Sequence, residues 1–248
     1  MDLPLKFVNY RIEDYALQVT YNPAEGEGKV IYNLSLVHED DFGYAVATLK
    51  DAFSAGLCVS DRVRFANPGS RVGDFTVPKG SVGICTMCSI TLDALLLKRG
   101  VPLNPLGGGV VEVSDRIPRR FTHIIQYEHT TIDPLQVLIS QEATSITGVM
   151  TAGSGAILAN LRECHMEAEE IVGETLDELT ESGFTGVLDV GVPNVPLLGI
   201  PVSPEYLGVA LVGGTNPIAA FRESGRWAQT QALKGVMEFS EMGSILEY

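Results

Sequence analysis

A chain of 248 residues with 45% hydrophobic and 19% charged side chains can bury a sizeable core, and its length admits one large domain or two small ones. Its formal net charge of −14 repels a phosphate backbone, and the densest basic cluster, Arg116, Arg119 and Arg120, is too small to reverse that field, which argues against direct nucleic-acid binding. No charged-then-apolar leader opens the sequence, no apolar run nears the roughly 18 residues of a membrane span, and the four cysteines make no secreted-type framework, so a cytoplasmic protein with reduced thiols is expected.

In chain order, Phe7 to Tyr21 is rich in aromatic and β-branched residues and reads as one strand or a bent pair. Pro23 to Gly28 is a turn and Lys29 to Val37 a strand. Asp40 and Asp41 suit the start of a helix that runs to about Ala55 and stops at Gly56. Leu57 to Phe65 reads as the next strand, with a turn at Asn67-Pro68-Gly69. Ser81 to Met87 is short and apolar, a buried strand; Cys88 to Thr91 forms a polar corner; Leu92 to Arg99 has helical spacing and stops at Gly100. Gly107-Gly108-Gly109 then leads into a strand at Val110 to Val113, and Phe121 to Ile139 supplies a linking strand broken at Asp133-Pro134. The remainder reads as Ala156 to Leu161 (strand), Glu167 to Ser182 (helix), Gly186 to Val190 and Tyr206 to Val212 (strands), a helix from Pro217, and a last strand at Ser244 to Tyr248.

The second series repeats the first. Gly83 recurs as Gly208 and Gly100 as Gly225, both 125 residues later; GKVIYNLSLVH from Gly28 recurs as GAILANLRECH from Gly155, 127 residues later. Weaker echoes join Leu17-Gln18-Val19 to Leu135-Gln136-Val137, and GGVVEV from Gly108 to GSILEY from Gly243. The expected fold is therefore α/β of the α+β kind, internally duplicated into two βαββαβ, ferredoxin-like halves at 1–113 and 155–248 joined by 114–154.

Chemistry concentrates at the duplicated corner. Cys85 and Cys88 have the CxxC spacing of redox pairs and half-zinc sites, with Cys164, His165 and His38 as conceivable supplements; against this, cysteine inside a buried strand behaves as a small apolar residue. Ser89 or Thr91 can cap the following helix, or the same hydroxyls and free N–H groups can receive a carboxylate or phosphate. Gly213-Gly214-Thr215-Asn216 occupies the matching place, with Asn216 as cap and Pro217 at the first helical position. No GxSxG serine, Walker loop or Rossmann fingerprint is present; Glu167, Glu169 and Glu170 read as a solvated helix start, and His123 and His129 as strand residues at the surface. No catalytic set and no metal set follows.

Taken together, TMCSITLDALLLKRGVPL from Thr86, the glycines at 107 to 109, PRRFTHIIQYEHTTIDPLQVLI from Pro118, NLRE from Asn160 and VGGTNPIAA from Val212 resemble the regulatory domain of the archaeal nitrogen-regulatory repressors, NrpR. The resemblance implies a non-catalytic transcriptional regulator of nitrogen metabolism that senses 2-oxoglutarate as an effector, acts as a homodimer, and reaches DNA through a winged helix. No such helix-turn-helix precedes Phe7, so DNA contact is expected only through a domain or subunit absent from this chain. The sensing role is expected at Thr86, Cys88, Ser89 and Thr91, with Gly213, Gly214, Thr215 and Asn216 of the matching corner. Arg162, in the NLRE segment at a strand end, can add a bidentate contact; it is otherwise a surface arginine paired to Glu163 or Glu167. Its repeat partner is Ser35, so that charge belongs to one half only. Competing readings are a metal- or redox-active protein built on Cys85 and Cys88, and a purely structural dimerisation module.

Overall fold

The structure is a computed structural model describing residues 6–248; residues 1–5, where the first half as delimited above begins, lie outside the described residues. In chain order the elements are α1 (Val8–Ala16), β1 (Lys29–His38), α2 (Phe42–Ser54), β2 (Arg62–Ala66), a small hairpin of β3 (Arg71–Val72) and β4 (Phe75–Thr76), β5 (Ser81–Met87), α3 (Ile90–Lys98), β6 (Asn104–Ser114) and β7 (Ile117–Gln126). There follow α4 (Pro134–Ser140), α5 (Ile146–Ala152), β8 (Gly155–His165), α6 (Glu169–Glu181), β9 (Val187–Val190), β10 (Tyr206–Val212), α7 (Asn216–Glu223), β11 (Ala228–Glu238) and β12 (Gly243–Ser244). Setting aside the hairpin, β1–α2–β2–β5–α3–β6 and β8–α6–β9–β10–α7–β11 are the same series, that of the split βαβ unit.

Neither series closes on itself. One antiparallel sheet has the order β11-β1-β5-β2-β12, the other β7-β6-β8-β10-β9. The fourth strand of each repeat therefore lies beside the first strand of the other: Lys29 faces Glu238 and Val37 faces Ala228 in one sheet, while Glu163 faces Asn104 and Gly155 faces Val113 in the second. The preceding helices travel with their strands, α7 lying against α2 and α3 against α6. Each sheet thus cuts across the boundary at 113, and the places where the chain passes from one module to the other are the β5–α3 and β10–α7 corners. One apolar core runs through both modules; a smaller one, including Val37, Leu49, Ile84 and Phe221, lies beneath α2 and α7.

Four local expectations are corrected. Phe7 to Tyr21 is not a strand: Val8, Ile12 and Ala16 recur every four residues and form the buried face of α1, which rests on α3. In the Leu57 to Phe65 region the strand is confined to Arg62–Ala66, because Cys58 and Val59 spend their carbonyls on Thr185 of the second repeat and Ser60 bridges to Phe184 there. The segment from Phe121 pairs only to Gln126, and Asp133-Pro134 opens α4 instead of interrupting a strand: Asp133 accepts from the Leu135 N–H at 2.9 Å and proline takes the first turn. Finally, Ser244 to Tyr248 is a short bridge to β2 followed by a 3-10 turn. The true counterpart of β6 is β11, with Gly109-Val110-Val111-Glu112 answered 126 residues later by Gly235-Val236-Met237-Glu238.

Candidate functional site

The two corners meet at the centre of the molecule, where the hydroxyl of Thr86 donates to the Gly214 carbonyl at 2.8 Å. Around that contact the bonding is pseudo-symmetric. Cys88 N–H donates to the Ile31 carbonyl at 2.9 Å and Ile31 N–H donates to the Thr91 hydroxyl at 3.1 Å. In the other repeat Gly213 N–H donates to the Leu158 carbonyl at 2.8 Å and Leu158 N–H donates to Asn216 Oδ1 at 2.8 Å. Thr91 and Asn216 therefore tie their helices to the first strand of each repeat. They are not caps, and Ser89, which precedes α3, makes no capping bond either. Its hydroxyl bonds Asn160, whose Nδ2 is 2.8 Å away. Gly214 is required here because an added Cβ would stand 2.2 Å from the Met87 carbonyl oxygen. Asn33, the repeat partner of Asn160, donates to the same Met87 carbonyl and accepts from Leu233 N–H at 3.1 Å, holding β11 where its register shifts.

Thr86, Cys88, Ser89, Thr91, Thr215 and Asn216 are all buried in this joint, as are Gly213 and Gly214. The neighbouring voids are about 20 Å³ beside Ser89 and about 10 Å³ beside Gly214, room for about one water each. Arg162 is brought to the same centre and is not a surface residue: it is 1% exposed, its Nε lies 3.0 Å from Asp93 Oδ1 of α3, and its Nη1 donates to Asn160 Oδ1 at 2.8 Å. Glu163, an expected partner, is instead occupied by Asn104 and Ser203. Burial pushes the Asp93 carboxyl above its ordinary value, opposed by the Arg162 guanidinium.

The thiols are packing groups. All four cysteines are buried, and burial pushes Cys85 and Cys88 up to about 12, where little thiolate exists at neutral pH. Cys164 lies in the other sheet from Cys85, and among the described residues no group of three or more histidine, cysteine or acidic side chains is placed to hold a metal.

Open space lies at the far ends of the exchanged helices. A cleft of about 290 Å³ runs between α1, α3 and the start of β6, with Glu13 and Asp93 as its charged residues and apolar walls. Its pseudo-equivalent, about 180 Å³, lies between α4, α7 and the start of β11, and carries Gln136, Ser140, Arg222, Trp227, Gln229 and Thr230. A third, of about 270 Å³, holds Lys98 together with Arg99, which is already bonded to Thr175 and Glu178. The sequence reading passed over these residues. The signal was available in the repeat: at the 125-residue offset Leu97 becomes Arg222, Asp93 becomes Ile218 and Pro102 becomes Trp227.

Comparison with known proteins agrees with this architecture. A profile of the NrpR regulatory domains 1 and 2 matches residues 5–244. The global nitrogen regulator NrpRI of Methanosarcina mazei is 36% identical over 239 residues, 96% of this chain and 73% of that protein. The global nitrogen regulator NrpR of Methanocaldococcus jannaschii is 30% identical over 253 residues, 99% of this chain but 42% of the relative's length. The crystal structure of a nitrogen repressor-like protein from Methanococcus jannaschii superposes with a TM-score of 0.82 at 29% identity, covering 98% of this chain and all of that one. No helix among the described residues is long and apolar enough to cross a membrane. With its profile matched almost end to end and its fold shared, the chain belongs to the family of NrpR regulatory domains.

Proposed function

We propose that this chain is the effector-sensing domain of a transcriptional repressor of nitrogen metabolism, binding 2-oxoglutarate and self-associating as a homodimer in the cytoplasm without catalysing a reaction. The observation that carries the reading is the profile match over residues 5–244, joined to relatives named as global nitrogen regulators. DNA would be reached through a winged-helix domain or a partner subunit, since a net charge of −14 disfavours phosphate contact by this chain itself. Two modules tied through a shared core and a buried joint suit a sensor, because a ligand bound at one module bears on groups packed directly against the other. Calorimetric titration with 2-oxoglutarate beside glutamate and citrate tests the reading: saturable heat for 2-oxoglutarate is expected, and none with any of the three would reject it. Sedimentation at tens of micromolar should give a dimer; a monomer there removes self-association from the proposal.

A further inference from the structure

We infer that the cleft between α4, α7 and the start of β11 is the seat of a small dicarboxylate, with Arg222 as its anchor; this rests on the effector-sensing reading and gives it a location. The pseudo-symmetry supplies an internal comparison. The α1–α3–β6 cleft is the larger, but its lining holds no cation: Glu13 is exposed there and Asp93 is already paired with Arg162, so an entering anion meets a carboxylate and nothing to hold it. In its pseudo-equivalent the only charged residue among the described lining is Arg222, beside the neutral side chains of Gln136, Ser140, Gln229 and Thr230. Among the described residues Arg222 has no ion-pair or side-chain hydrogen-bond partner, so its planar fork is free for a bidentate carboxylate contact. Its neighbour Glu223 does not compete, being held by Thr144, Ile146 and Thr147 at the start of α5. The third cleft offers a weaker seat, since Arg99 is tied to Glu178 and leaves Lys98 as a point charge beside a carboxylate. At about 180 Å³ the Arg222 cleft has more than ten times the roughly 10–15 Å³ that admits one water. One carboxylate would take the guanidinium and the second the side-chain amides of Gln136 and Gln229, since the Ser140 hydroxyl already donates to the Gln136 carbonyl and that of Thr230 is shared with Ser35; Trp227 lines the wall.

A bland alternative exists for Arg222, because it stands in the last turn of α7 and offsets the partial negative charge of that helix end. The two roles separate experimentally. Trp227 is the sole tryptophan of the chain and lines this cleft, so its emission reports occupancy directly. Titration of the whole chain with 2-oxoglutarate should give a saturable change in Trp227 emission at the same midpoint as calorimetric heat. Arg222→Gln should weaken both at least about tenfold, with circular dichroism and thermal midpoint near wild type, and Arg222→Lys should recover part of the loss. A helix-end role alone predicts a lower thermal midpoint with unchanged affinity, and that result overturns the assignment. So does calorimetric binding that leaves Trp227 silent, or a loss of affinity confined to Ser89→Ala, which would move the ligand to the central corners. Binding by wild type and Arg222→Gln alike defeats only the location, whereas no binding of any dicarboxylate by wild type defeats the effector reading with it.

Discussion

Arg162 and Asp93 form an ion pair that almost no water reaches, with exposures of 1% and 5%. Such a pair contributes little net stability while intact, since desolvation of both charges offsets their attraction, but removing one partner strands the other. Arg162→Ala should therefore cost about 3 kcal/mol, read from urea unfolding. Replacing both residues by apolar ones of similar volume should recover most of it, and a single-variant cost below about 1 kcal/mol would contradict this account. The asymmetry was legible in the sequence, where Ser35 stands at the place of Arg162. Its partner was not, because Asp93 sits on a helix that crosses into the other module, and nothing local to residue 93 records that crossing. The same holds for Thr91 and Asn216: their positions at helix starts invite a capping role, whereas their bonds run to Ile31 and Leu158 on strands far away in sequence.

Among the elements, α4 carries a testable charge. Asp133 is its buried N-cap, and burial pushes the carboxyl above its ordinary value of 3.8, against the lowering effect of the Leu135 and Gln136 N–H groups. A carboxyl whose folded pKa is raised binds its proton more tightly in the native state, so its contribution to stability falls as pH rises from about 3.8 through the folded pKa. Asp133→Asn keeps a good cap and removes the ionisation. The difference in urea midpoint, variant minus wild type, should therefore grow over that pH window and level off above it; a difference that shrinks with rising pH contradicts the assignment. The helix itself was announced by Asp133-Pro134, a start signal taken for a strand break because an apolar run surrounds it. For α1 the fourfold spacing of Val8, Ile12 and Ala16 was present but masked by aromatic and β-branched residues between them. β11 was harder to see: a register shift and a left-handed Leu233 interrupt any alternation, so the closing GSILEY drew the comparison instead.

At the scale of the molecule, the order of elements was readable and their pairing was not, because βαββαβ is written identically whether a fourth strand returns to its own sheet or joins its neighbour's. Since each sheet holds a strand from the other repeat, neither can melt alone without opening both. Urea unfolding should give one cooperative transition, coincident by Trp227 emission and far-ultraviolet circular dichroism; two separated transitions would mean that the modules are energetically independent. The exchange has a further consequence. One repeat on its own possesses a helix and strand with no sheet to join, and a sheet whose β1 edge is bare. Two copies of such a repeat satisfy each other by the crossing already made at the corners, so the chain has the connectivity of a domain-swapped dimer within one polypeptide, with Cys88–Ser89 and Gly213–Gly214 in the place of hinges. Fusion replaces an association that would depend on concentration with one that is intramolecular, and frees each half to diverge. That freedom is what allows Asp93 in one cleft and Arg222 in the other.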